Sequence, residues 1–161
     1  ASRMDAAHEF AGLYRRDLRR LVQELAAFPS AAALWGKLPG IANSAGNLFL
    51  HLEGNQREYI GRQLGGIAYQ RQRDLEFGST PIPAADLMQR IEPLPELISS
   101  VVEALSIEAL EAKYPENVTG VPLSTRQFLI HLNGHLNYHL GQIDYLRRAL
   151  TGDAAIHFAQ L

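Results

Sequence analysis

Phe10, Leu13, Tyr14, Leu18, Leu21, Val22, Leu25 and Phe28 recur at spacings of three and four, the period of an amphipathic helix. They predict a first helix over residues 5–28, closed by Pro29. Ile41, Ala45, Leu48, Phe49, Leu52, Tyr59 and Ile60 form a second apolar arc, opened by Pro39 and Gly40 near residue 41 and closed by Gly65 and Gly66. A third helical region spans 84–105 through Leu87, Ile91, Leu94, Ile98, Val101 and Leu105. Pro93 and Pro95 predict a kink or a division into two pieces there. The fourth helix, 124–150, carries Phe128, Leu132, Leu136, Ile143, Leu146 and Leu150 on one stripe. Ser124 and Gln127 stand at capping-box spacing before it, and Gly152 supplies a stop.

Two stretches lack this period. Residues 66–83 read as a long connection, and 106–123 predict a short β-hairpin around Pro115 to Gly120. Four helices without a sustained strand pattern predict an all-α single domain over 1–161, built as a four-helix bundle. The long connections permit a course other than simple up and down.

The helical period gives the histidines their interest. The stretch HLNGHLNYHL places His131, His135 and His139 at steps of four, in a chain of 161 residues with 6 histidines. At 100° per residue, His135 and His139 fall inside the apolar stripe, and His131 sits about 60° beyond its edge. A buried imidazole needs a partner, because each unsatisfied polar group costs about 1–3 kcal/mol. Nitrogens on one zinc lie about 2.0–2.1 Å from it. His131 and His139, about 12 Å apart along the axis, cannot share one ion.

His135 and His139 with one ligand from another helix is the feasible set. His51, near the middle of the second helix, matches their level in the bundle. Ser44, Asn47, Asn55, Glu58 and Arg62 flank it at helical spacing, a polar stripe suited either to a pocket or to solvent. The alternative is a set of ordinary hydrogen-bonded core histidines. Three neutral imidazoles suit a divalent ion, Zn and Ni first and then Fe, and leave coordination positions open. Such an open set points to a reactive site rather than a structural one. His8 and His157, near the termini, read as exposed bystanders.

Composition then narrows the chemistry. There are no cysteines, hence no disulfide, thiol nucleophile or Cys-based metal site. A hydrophobic content of 47% suits a globular domain, and a net charge of -2 offers no general attraction to nucleic acid. Arg15, Arg16, Arg19 and Arg20 cluster locally and read as a solvated helix face. No apolar run is long enough to cross a membrane and no signal-peptide core is visible, so the expectation is a cytoplasmic protein without a membrane partner. H-E-x-x-H, paired E-x-x-H, G-x-S-x-G and P-loop motifs are absent. Glu58, His131, Tyr138 and Asp144 are the candidate acid or base groups, although Asp144 faces away from the stripe.

NLFLHLEGNQREYIGRQLGG, RQRDLEF and HLNGHLNYHLGQIDYLRRALTG, taken in order, resemble the DinB-like superfamily, which includes the YfiT-type metal-dependent hydrolases. Arg73, Asp74, Glu76 and Phe77 are similar to the loop motif of one branch, and Asn55 and Arg73 match motif positions of undetermined role. The resemblance implies a four-helix bundle with helices 2 and 3 parallel and joined by a crossover (up-down-down-up). It implies a metal held by His51, His135 and His139. It leaves His131 as a partner of a ligand or as core filling.

The implied activity is that of a metal-dependent hydrolase or a thiol-dependent S-transferase acting on a small molecule. The transferase would use a low-molecular-weight thiol, with Arg62, Arg71 and Arg73 as candidates to seat it. A non-catalytic metal-binding or stress-response module is the alternative. Homodimer formation through helix faces is also implied.

Overall fold

The computed structural model describes residues 5–78 and 80–157. Its helices are α1 (Ala6–Ala27), α2 (Ala31–Trp35), α3 (Ala45–Gln56), α4 (Arg73–Glu76), α5 (Ala84–Ile91), α6 (Leu94–Glu103), α7 (Ile107–Glu111) and α8 (Thr125–Thr151). A π-helical turn, Arg57–Arg62, extends α3. Among the described residues the only β pairing is an isolated bridge between Lys113 and Ser124.

The caps explain the boundaries. Asp5 accepts from the Ala7 amide at the start of α1, and Ser124 accepts from that of Gln127 at the start of α8. Gly152 ends α8 at φ 76°, in the left-handed region where a Cβ is costly. α3 starts at Ser44 rather than near 41, because Ser44 and Asn47 form a reciprocal capping box. The third region is two helices, α5 and α6, with Pro93 and Pro95 at the break.

Three details differ from the sequence reading. Ser30 caps a short helix, α2, directly after Pro29. Residues 106–123 hold α7 and a loop instead of a hairpin. Pro115 has no amide to donate, and Ser124, the other side of the bridge, is already the α8 cap. The connection 66–83 contains the four-residue helix α4.

α1 packs against α6 and α8, and α3 packs against the same two. Contacts along each pair set the relative directions. His8 meets Glu103 while Arg19 meets Glu96, so α1 and α6 run oppositely. Tyr14 donates to the Leu129 carbonyl, Asp17 accepts from Asn133 and Asn137, and Arg147 pairs with Glu24, so α1 and α8 run together. His51 meets His135 while Tyr59 packs on Phe128, so α3 opposes α8. Gly61 faces Leu97 and Gly65 faces Val101, so the continuation of α3 runs with α6. One apolar cluster fills the space between these helices, with Tyr14, Phe49, Leu52, Ile98 and Leu136 fully buried.

The π turn has a local cause. The Tyr59 carbonyl accepts from Tyr114 Oη at 2.6 Å, and the Gln63 amide reaches back five residues to Glu58. A side chain competing for a helix carbonyl is a recognised source of such a turn.

Arg15, Arg16, Arg19 and Arg20 are not simply a solvated face. Arg15 and Arg19 pair with Glu96 at the surface. Arg16 and Arg20 donate instead to Asp17, which is fully buried and also takes bonds from Asn133 and Asn137. A carboxylate inside the α1–α8 contact requires those donors.

Farther along the same contact, Glu24 accepts from Arg147 Nε at 2.9 Å, and Arg147 also reaches Asp144. Burial, reinforced by the hydrogen bond to Asp144 and opposed by Arg147, pushes the Glu24 carboxyl up to about 7. A raised carboxyl keeps its proton in the folded chain where the unfolded chain has released it. Stability from this group is therefore full below about pH 4.5 and declines until about pH 7. Glu24→Gln, which cannot titrate, should remove this decline, its stability changing less than that of wild type between about pH 4.5 and 7. Urea denaturation across that range checks this, and a variant whose stability falls as steeply as that of wild type would refute it.

Candidate metal centre

His51 lies on α3, a helix of which every residue is buried. His135 and His139 lie one turn apart on the opposing face of α8. One ring nitrogen from each of the three falls within 4.8 Å of the other two. The structure thus brings together the three histidines singled out by spacing.

Their rings are held in different ways. His51 Nδ1 donates to Glu76 Oε1 at 3.0 Å. The carboxylate selects the tautomer that keeps the proton on Nδ1 and leaves the Nε2 lone pair available, an arrangement typical of metal-binding histidines. His139 Nδ1 donates to Gln142 Oε1 at 2.7 Å, which assigns its Nε2 in the same way. His135 Nδ1 is buried with no hydrogen-bond partner among the described residues, so packing alone orients that ring. Any offset to its burial has to come through Nε2.

His51 Nε2 and His135 Nε2 are 3.1 Å apart. Two nitrogens at 2.0–2.1 Å from one ion, subtending about 90–110°, would be roughly 2.8–3.4 Å apart. The observed distance fits a shared ion as well as a hydrogen bond between neutral rings. Burial, with His139 and His51 beside it, depresses the His135 imidazole to about 4. Burial likewise lowers His139, against the opposing hydrogen bond to Gln142. Both rings are therefore neutral at physiological pH, the form that binds a metal.

Glu76 comes from α4, in the connection that lacked a period. Burial raises its carboxyl, but hydrogen bonds from His51 and Arg71 outweigh that and hold it below the ordinary range. Arg71 binds it in a fork, Nε to Oε2 at 2.8 Å and Nη2 to Oε1 at 2.9 Å. Asn47 anchors the same loop, donating to the carbonyls of Glu76 and Gly78. Gly54, one turn beyond His51, provides the space. A Cβ there would collide with the Glu76 carboxylate and crowd Arg71.

Phe77 covers His51 with ring centroids 5.0 Å apart, and Tyr138 packs on His139 at 5.3 Å. Gln142 and His139 also form part of the wall of a cavity of about 900 Å³.

The other candidate residues lie elsewhere. His131 is exposed and stacked on Phe128, so it is neither core filling nor a partner of the ligands. Glu58 is taken up by Arg62 at the surface, and Asp144 by Arg147 and Arg148. His8 pairs with Glu103, and His157 is exposed. Of the stripe flanking His51, Ser44, Asn47 and Asn55 are buried, while Glu58 and Arg62 turn to the surface. Arg73 is exposed. Gln142 follows His139 by three residues, one helical turn, which is the signal for their bond; Glu76 showed only in the loop motif and Asn47 only in the polar stripe flanking His51.

No protein-family model matches this chain, and no curated protein does.

Removing the Glu76 charge should loosen His51. Glu76→Gln should weaken Zn(II) binding by about 10–100-fold, read by competition with a chromophoric chelator. Gly54→Ala should act in the same direction by displacing the carboxylate. Affinities equal to wild type, with helicity retained by circular dichroism, would exclude the orienting role.

Proposed function

We propose that this chain is a DinB-like protein, a four-helix bundle of up-down-down-up course that binds a divalent ion through His51, His135 and His139 and acts as a metal-dependent enzyme. The pairwise helix directions support the bundle, and α3 and α6 on either side of the long connection support the crossover. One observation carries the functional reading. Three imidazoles converge, and the group includes no fourth protein ligand among the described residues. A structural zinc site is normally closed by four ligands, whereas a catalytic one keeps a position open.

An ion held there would supply Lewis acidity, lowering the pKa of a water or thiol that shares its coordination sphere. The protein supplies the setting. Glu76 and Arg71 cancel each other's charge, so uncharged ligands would leave the ion's charge largely undiminished. His51 and His139 are held in their binding tautomers, and Phe77 and Tyr138 lie against their rings.

Both hydrolysis and thiol-dependent S-transfer suit such a centre. The acid and base candidates bear on the choice, since Glu58 and Asp144 are bound by arginines elsewhere. Glu76, lowered and doubly bonded, orients His51 instead of accepting a proton from substrate. A centre without a free carboxylate base favours the nucleophile that needs less activation. A thiol, near pKa 8.5, needs much less than water at 15.7. Against an anionic thiol, Arg62 and Arg71 are already engaged by Glu58 and Glu76.

Protein purified without a metal-affinity step should carry about one equivalent of Zn, Ni or Fe by elemental analysis. His135→Ala and His51→Ala should each lose most of it while keeping their helical circular dichroism. Chelation should abolish turnover in a screen of ester, amide and thiol-conjugation substrates, and the ion should restore it. A wild type that neither carries nor takes up Zn or Ni would overturn the proposal.

A further inference from the structure

The cavity beside the three histidines says what kind of molecule the site would admit. It measures about 900 Å³ and lies between the 38–43 loop, Leu48 of α3 and the outer face of α8. That is within the usual range for small-molecule pockets. Its wall includes Leu38, Ile41, Tyr138, Tyr145 and Leu146, with Asn43, His139 and Gln142 as polar groups, and contains no Asp, Glu, Lys or Arg. Arg148 is stacked outside, over Tyr145 at 5.2 Å, and is paired with Asp144. A charged ligand seated here would gain no counter-ion from the wall.

Resting on the metal-enzyme reading above, we infer that this cavity is the substrate pocket and that it takes an uncharged, largely apolar or aromatic molecule whose polar end meets the Gln142 amide beside His139. Tyr138 and Tyr145 in the wall are 66% and 71% exposed and so accessible to such a body. His139 is shared between the cavity wall and the three-histidine group. A molecule filling the cavity is therefore next to the centre. The same lining disfavours thiol cofactors that carry free carboxylates.

Gly141 allows a clean test. It lines the cavity within α8, and nothing lies within 4 Å of where its Cβ would stand. A Cβ there meets no neighbour, so Gly141→Phe brings a ring to the cavity wall from an open position, and replacing a mid-helix glycine favours the helix. Gly134, two turns earlier and equally unobstructed, is not in the cavity wall and serves as control through Gly134→Phe.

The probes are N-phenyl-1-naphthylamine, which is uncharged at neutral pH, and its 8-sulfonate, which shares the aromatic body. Fluorescence titration of the zinc-loaded full chain should show the uncharged probe binding at least about tenfold more tightly, as expected if the cavity cannot compensate a charge. Gly141→Phe should abolish that binding and Gly134→Phe should retain it, with zinc content equal in all three proteins. Substituting Cu(II) for zinc should quench the bound probe.

Equal or tighter binding of the sulfonate, or full binding by Gly141→Phe, would overturn the inference. So would absence of quenching by bound Cu(II), which places the probe away from the centre. A dimer in sedimentation that excludes the probe and separates on Gly141→Phe would assign the face to a second copy and overturn it too. Failure to take up zinc or copper, with the uncharged probe still bound, would instead refute the metal reading.

Discussion

The hydrogen bond between His51 and Glu76 joins a fully buried helix to a loop with little regular structure of its own. Much of the site's organisation depends on that contact. It sets the tautomer of His51, turns Nε2 towards α8 and gives the loop a charged anchor in the interior. Arg71 keeps the carboxylate ionised, and Asn47 ties the same loop to the start of α3. A buried carboxylate alone would be costly; with a guanidinium fork and an imidazole it becomes a fixed reference point for the ring.

The α1–α8 contact uses polar groups for another purpose. Asp17 with its arginine and asparagine donors, and Glu24 with Arg147, lie between two helices that run in the same direction. An apolar seam alone would tolerate sliding by a turn. Donor and acceptor pairs at matched heights make such a slip leave several buried groups unbonded, so they hold the register of α8. That register determines where His135 and His139 stand relative to His51. Interactions remote from the histidines thus contribute to their convergence.

The long periodic helices were legible because burial alone produces their pattern. The convergence of His51 with His135 and His139 was legible for a related reason, since helical spacing and height along a helix already constrain which ligands can meet. Glu76 belonged to a stretch without period, and its role exists only through tertiary contacts with His51, Arg71 and Gly54. The burial of Asp17 was hidden by its basic neighbours, which suggested solvent when they were in fact its donors. The expected hairpin failed because one bridge, a proline and a helix cap do not make a ladder. His131 shares the spacing of its two neighbours but lies beyond the buried arc, so its repeat carries no site.

α3 has no side turned to water. Ordinary surface helices accumulate substitutions on their solvent face while the inner face stays fixed, but residues 45–56 have no such reserve. Gly46 leaves room for the Trp35 ring and Gly54 for Glu76, so even the smallest residues there are shaped by neighbours. A side chain enlarged anywhere in that segment meets a neighbour, whereas α1, α7 and α8 keep exposed positions. The histidine on α3 is, for that reason, the hardest of the three to move to another position without rebuilding the helix around it.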